Sequence, residues 1–348
     1  MNFKTIFQVL AIYAGSIIGA GFASGQEILQ FFIIHGRRGV LGVILATTLF
    51  AYFGALIMHL AVRYQMHNYR QILVLTLGPR VSRIFDLLSL LMLAGGLLVM
   101  LSGAGAVASE YLGLSGRTGS ITTALLAAAV LWRGTRGVAE TNMLLVPVKA
   151  GIIIMVCLTA IYLQRENITP AVSPPGLSYS GNWLFAAILY VSYNLVVPVS
   201  VLTSMGREVE RLSAVLGGIC GGLVLGLIIL LVTITGLLYY PDIAAYQIPL
   251  LYIAGQTGRL WTNVLGVLIW LAIFTTAIAD AHGFAARLGA PGTARYRLAG
   301  LLLLLAALPL AGLPFAQLVK YLYPLFGYLG LFLLAGLFLL PLRLRGEK

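Results

Sequence analysis

AGSIIGAGFASGQEILQFF, from Ala14 to Phe32, decides how this chain is read. The stretch is apolar enough to sit in a membrane. It nevertheless carries four glycines (Gly15, Gly19, Gly21, Gly25), two serines and the pair Gln26–Glu27. A spanning helix weakened in its middle is suited to unwinding and offering backbone groups to a ligand. The membrane setting follows from composition. Charged residues make up 9% of the 348 and hydrophobic ones 60%, with mean hydropathy +0.99, whereas a soluble domain carries about 25% charged residues. The hydrophobic stretch from Phe3 to Ile34 is too long for a cleaved signal peptide. Cys157 and Cys220 both fall inside apolar runs and read as free thiols.

Apolar runs separated by charge, Gly and Pro predict about ten helices, each near the 20 residues a crossing needs. Their expected limits are 4–34, 39–62, 83–112, 119–132, 142–163, 183–204, 213–239, 258–286, 297–312 and 315–340. The whole chain, 1–348, reads as one transmembrane domain. Its longest polar link, QRENITPAVSPPGLSYSGN from Gln164 to Asn182, reads as an extended loop because of its prolines. Of the 22 Lys and Arg, fifteen fall on the side holding the N-terminus and five on the other; Lys149 and Lys320 lie within spans. The positive-inside rule then places both termini in the cytoplasm. The net charge of +12 belongs to these loops and does not call for nucleic acid.

Ten helices divide into two fives, 1–165 and 176–345, and an odd count inverts one half against the other. The first helix of each half carries a break: GSIIGAG in one, LYVSYNLVVPVS in the other, where Ser192 to Asn194 precede Pro198, which lacks a backbone donor. Interrupted helices at matching positions of inverted halves point to a transporter's central site. Glycines also serve close helix packing, and Gly95, Gly96, Gly217, Gly218, Gly221 and Gly222 are expected to do only that.

At these residues the sequence resembles a family. AGSIIGAGF is similar to the first-helix signature of the amino acid–polyamine–organocation superfamily, and IIGAGFASGQEILQFF is closer still to the YkvI-type bacterial membrane proteins. The resemblance implies an all-α, LeuT-type fold with a five-plus-five inverted repeat in a bacterial plasma membrane. It further implies cation-coupled uptake of a small amino acid, amine or osmolyte by alternating access. A sodium ion would be held by carbonyls of Gly15, Ile18 and Ala272 and hydroxyls of Thr275 and Thr276. The substrate's carboxylate would rest on amides of Ala20, Gly21 and Phe22, beside Gly19. A second sodium site of some members has Phe22 at its Asn position and is not expected.

Each assignment has a plainer counterpart. Thr275 and Thr276 are equally able to bond back to their own helix. Lys149, in VPVKAGIII, matches a lysine that stands in for sodium in some relatives, which would make the coupling ion a proton; a lysine snorkelling to the interface is the alternative. A buried lysine near a span centre costs at least ~2.5 kcal/mol, and its ammonium and a sodium ion would repel each other at low dielectric. Glu27 either lines the entry path, favouring a cationic or zwitterionic substrate, or braces its half-helix. Asp280, one turn beyond Thr276 on the same face, is expected to pair with Lys149, to gate the inner path or to bond an arginine. Tyr190 and Tyr193 are expected to close the pocket, with Ser192 and Asn194 as polar contacts. A ligand sensor or passive channel on the same fold is the competing function. An enzyme is not expected: HExxH, a clustered Asp/His set, a nucleophile triad and the phosphate-binding GxxxxGK[ST] are all missing from the sequence.

Overall fold

The computed structural model describes residues 2–133, 138–165 and 182–346. Most of the Gln164–Asn182 link expected as an extended loop lies outside the described residues. The described elements are helical throughout. Asn2 begins α1 (Phe3–Ile17), its side chain accepting from the Lys4 amide at 3.0 Å, which satisfies one of the orphan N–H groups at a helix start. Asn182 caps α8 (Trp183–Asn194) in the same way. Between them run α2 (Ala20–Ser24), α3 (Gln26–Phe31), α4 (Arg37–Arg63), α5 (Tyr69–Glu110), α6 (Gly116–Arg133) and α7 (Val138–Leu163). After α8 come α9 (Val196–Ser204), α10 (Arg211–Leu238), α11 (Pro249–Thr257), α12 (Arg259–Leu288), α13 (Ala294–Ala307) and α14 (Phe315–Gly346).

Six of the described helices are each long and apolar enough to cross a membrane, and the bent pair α8–α9 makes a seventh. The other three expected spans correspond to α1 with α2 and α3, to α6 and to α13, which are broken, shorter or less apolar. The third span begins earlier than its hydropathy suggested. Residues 69–77 form a helical lead-in capped by Asn68, and Gly78 (φ 77°) with Pro79 turns it into the long span. A separate helix, α11, precedes the eighth span, and the two meet at Gly258 (φ 132°).

Helix packing recurs in matched pairs. α4 lies along α10; α1 packs on α10 as α8 packs on α4; α5 lies along α12; α14 meets α5 as α7 meets α12. The α4–α10 crossing is made close by small residues. A β-carbon on Gly218 would come within 2.5 Å of the Gly54 carbonyl, and one on Gly222 would overlap the Ala51 backbone. In lipid such close approach is what lets helices associate by van der Waals contact. Large apolar side chains such as Leu227, Leu302 and Phe332 point outward, as a lipid-facing surface requires.

Candidate functional site: a cavity at the first-helix break

α1 ends because Ile18 and Gly19 leave helical geometry. Ile18 (ψ 71°) still donates to the Ala14 carbonyl, and Gly19 donates to Ile17 two residues back before running extended into α2. Among the described residues, the carbonyls of Gly15, Ser16 and Ile18 therefore receive no backbone hydrogen bond, and the amides of Ala20, Gly21 and Phe22 give none. Gly25 (φ 80°) then turns α2 into α3 beneath Pro249 and Leu250 of α11.

The second interruption is a bend and not the unwound stretch expected from LYVSYNLVVPVS. α8 and α9 meet at 40°, with Leu195 still in helical geometry, donating to Val191 and accepting from Val199. Pro198 lacks the N–H that would reach the Asn194 carbonyl, so one acceptor is released instead of a run of them. The Asn194 amide turns back to the Tyr190 carbonyl at 3.0 Å.

A cavity of about 400 Å³ opens from the break. Of the expected site residues, Gly19, Ala20, Gly21, Glu27, Tyr193, Asn194, Thr276 and Asp280 line it. It continues past Phe85 and Ser89 of α5, beyond the Gly78–Pro79 turn, Ser200 of α9, and Gly283 and Arg287 at the end of α12. Ser200 lies one turn before the end of α9, and the residues that follow reach Asn2 through Ser213, so this part of the cavity lies toward the face that carries the N-terminus. On that face Asn2 donates to the Ser213 hydroxyl at 2.8 Å and Arg207 to the Gln65 carbonyl at 2.9 Å.

Glu27 is 5% exposed, and its Oε2 accepts from the Tyr193 hydroxyl at 2.8 Å. The Tyr323 hydroxyl of α14 meets the same carboxylate. On its other side stands Gly21: a β-carbon there would overlap Glu27 Oε1 and lie 2.8 Å from Cδ. Asp280 faces the cavity across α5, where Gly96 leaves room for it; a β-carbon on Gly96 would come within 2.6 Å of Oδ2. Gly96 thus does more than the packing expected of it. Asp280 pairs neither with Lys149 nor with Arg287 in the structure. Arg287 is held by the Asp86 carboxylate at 3.6 Å and carbonyl at 3.0 Å, and by the Ser89 hydroxyl.

Lys149 is 1% exposed, so it does not snorkel to the interface. Its Nζ donates to the Ile18 carbonyl at 3.5 Å. That oxygen is one the resemblance gave to sodium. The Thr275 and Thr276 hydroxyls both donate to the Ala272 carbonyl, at 3.1 and 2.8 Å, which is the back-bonded alternative. An ammonium already on Ile18 and hydroxyls turned to their own helix do not fit a sodium site, and no step is routed through one below.

Three expected pocket residues lie outside the cavity. Phe22 is wholly buried. Ser192 donates to the Leu189 and Gly327 carbonyls, joining α8 to α14. Tyr190 sits among Phe31, Phe32, Phe50 and Tyr193, with ring centroids 4.9–6.0 Å away. Tyr323, Phe326 and Gly96 were not expected at the site. In the sequence, Tyr323 is one aromatic among several in VKYLYPLFGY, and only the Pro324 that follows sets it apart.

The chain is thus an all-helical, multi-pass membrane protein with the LeuT-type fold. No family model matches it. It is 29% identical over 333 residues to the membrane protein YkvI of Bacillus subtilis (strain 168), covering 95% of this chain and 94% of that one. To YyaD of the same organism it is 28% identical over 343 residues, 98% of each. Among solved structures, the inward-facing conformation of Mhp1 superposes with a TM-score of 0.62 at 15% identity, over 93% of this chain and 73% of that one. A substrate-bound, outward-open Na+-coupled sialic acid symporter gives 0.61 at 13%, over 96% and 78%. A manganese transporter of Eremococcus coleocola gives 0.60 at 16%, over 94% and 76%. Identities this low carry the fold alone.

Proposed function

We propose that this protein is a cation-coupled secondary transporter of the amino acid–polyamine–organocation type, built on two inverted repeats at 1–165 and 176–345. It moves a small amine-bearing solute by alternating access, and the structure is its inward-open state. One observation carries the reading: a broken helix faces a cavity that holds two carboxyl groups and extends toward the ends of α9 and α12. Away from these ends the path is covered by Pro249 and Leu250 over Gly25 and by the Phe31, Tyr190, Tyr193 and Tyr323 rings. The self-mirroring contacts of α1–α7 and α8–α14 support the repeat. The membrane is a bacterial plasma membrane, with both termini in the cytoplasm. Similarity in fold to a Na+-coupled symporter and to Mhp1 supports transport over a sensor or a channel.

The coupling ion is a proton, and Lys149 carries it. Its ammonium holds the Ile18 carbonyl at the break, so loss of the proton releases the half-helix that must move when the cavity changes sides. Two opposing gradients test this in proteoliposomes, after a thermal-shift screen of amino acids, amines and osmolytes has found a ligand. Uptake should follow a pH gradient, ignore sodium, and vanish in Lys149→Ala while surviving in Thr276→Ala. Sodium-dependent uptake would overturn proton coupling. Large currents at saturating ligand, without saturable uptake, would mean a channel.

A further inference from the structure

The Glu27 carboxylate stands where relatives of this fold are expected to hold the carboxylate of their substrate. It lies against Gly21 at the break, leaving no room there even for a β-carbon. Asp280 presents a second carboxylate to the same cavity, and among the described residues no hydrogen bond or ion pair falls on it. The nearest positive charges are engaged elsewhere. Arg287 is bound by Asp86 and Ser89, and Lys149 faces the Ile18 carbonyl outside the cavity lining. A ligand carboxylate would thus meet two carboxyl groups and no available cation, in a region where an unpaired charge is costly. Ammonium recognition is better served. The Tyr193 and Tyr323 hydroxyls meet Glu27, with their ring centroids 5.2 Å apart, and Phe326 follows at 6.0 Å from Tyr323. A carboxylate attracts a cation by charge, and aromatic side chains lining the same cavity add ring-quadrupole attraction. Val196 and Val199 supply an apolar wall.

We propose that the cavity takes a small alkylammonium ion bearing no carboxylate, its cationic head against Glu27 in the cavity that Asp280 shares, beside Tyr193 and Tyr323, its alkyl body against Val196, Val199 and Phe326. This rests on the transport reading and narrows it: the cargo is an amine, and an α-amino acid is excluded because the chain already supplies the carboxylate at Gly21.

Matched pairs test it. The full chain in lipid nanodiscs is titrated with choline against glycine betaine, putrescine against ornithine, isobutylamine against valine, and phenethylamine against phenylalanine, with manganese and sodium chlorides as further arms. Thermal shift and calorimetry give the affinities. At least one amine should bind ten times or more tightly than its carboxylated partner, and Glu27→Gln should abolish that preference. Equal or tighter binding of the carboxylated member overturns the proposal, as does binding of manganese alone, or of none of the amines. Asp280→Asn provides a second variant should Glu27→Gln fail to fold. Uptake by the same protein in liposomes separates the two readings. An amine that binds but never crosses defeats transport and leaves the site intact; saturable uptake of an amino acid does the reverse.

Discussion

Lys149 of α7 reaches across 131 residues of sequence to the Ile18 carbonyl, at 3.5 Å, and so ties the fifth span to the break in the first. A buried ammonium and an orphan carbonyl each cost free energy alone, and each relieves the other.

Lys149→Met keeps the side-chain bulk and removes the donor. The break should then open more readily. Hydrogen–deuterium exchange of amides 15–21 should quicken severalfold, a loss of about 1 kcal/mol of local stability. Exchange at the α4–α10 crossing should stay unchanged. Equal protection at the break in both proteins would show that Lys149 does not hold it.

Gly21→Ala tests the seat of Glu27. The added methyl overlaps Oε1, and the carboxylate must leave Gly21 and Tyr193. A hydrogen bond to a charged group is worth about 1.5–3 kcal/mol, so ligand affinity should fall tenfold or more. Gly19→Ala is the control, since no side chain stands within 4 Å of a β-carbon there; equal losses in the two would point to the backbone of the break and not to Glu27.

Much of this architecture was legible in the sequence, and the misses have physical causes. Hydropathy placed the spans because lipid demands long apolar runs; it missed residues 69–77 and 249–257, which are short, amphipathic lengths that lipid does not dictate. Four glycines in Ala14–Phe32 announced the break. Pro198 announced a second, but one missing donor only bends a helix whose other hydrogen bonds persist across Leu195. Glu27 stood out as a carboxylate among apolar residues. Its partners did not, because Tyr193 and Tyr323 look like any membrane tyrosine until α8 and α14 are packed together. For the same reason Tyr190 and Ser192, three and one residues from Tyr193 along the helix, read as pocket residues in the sequence although they face the core and α14.

The close crossing of α4 and α10 predicts a steep cost for bulk. Gly222→Val would drive its side chain into the Ala51 backbone. Overpacking typically costs about 1–3 kcal/mol, and rigid backbone places this site at the upper end. The melting temperature in detergent should drop clearly, whereas Gly255→Val, with nothing within 4 Å, should leave it nearly unchanged.

Glu110 secures the cover on the opposite face. Its two oxygens accept from the Gln247 and Ile248 amides at 2.7 and 3.1 Å, and the Gln247 side chain accepts from the Phe315 amide at 2.6 Å. This chain of bonds holds the approach to α11, which lies over Gly25. Glu110→Ala removes two of them, on the order of 1 kcal/mol each once exposure is discounted. The population open to that face should rise roughly thirtyfold. A cysteine at Phe31, with Cys157 and Cys220 replaced by alanine, should then react faster with an impermeant thiol reagent added from that side; an unchanged rate would show that Glu110 does not latch the cover.

Asp86 governs the charge at the mouth of the cavity. It accepts from the Tyr69 hydroxyl and pairs with Arg287, whose guanidinium also lines the cavity. Asp86→Asn leaves Arg287 anchored through the Asp86 carbonyl but without a neutralising carboxylate. A cation entering or leaving past it then meets net positive charge. The half-exposed setting keeps the effect near 1 kcal/mol, roughly a fivefold rise in KM for an amine from the terminus-bearing side. Because the Debye length is about 10 Å at 0.1 M salt and 3 Å at 1 M, the defect should shrink as salt is added. A KM shift of the same size at high salt would mean that Asp86 shapes the mouth through its bonds to Tyr69 and Arg287, and not through its charge.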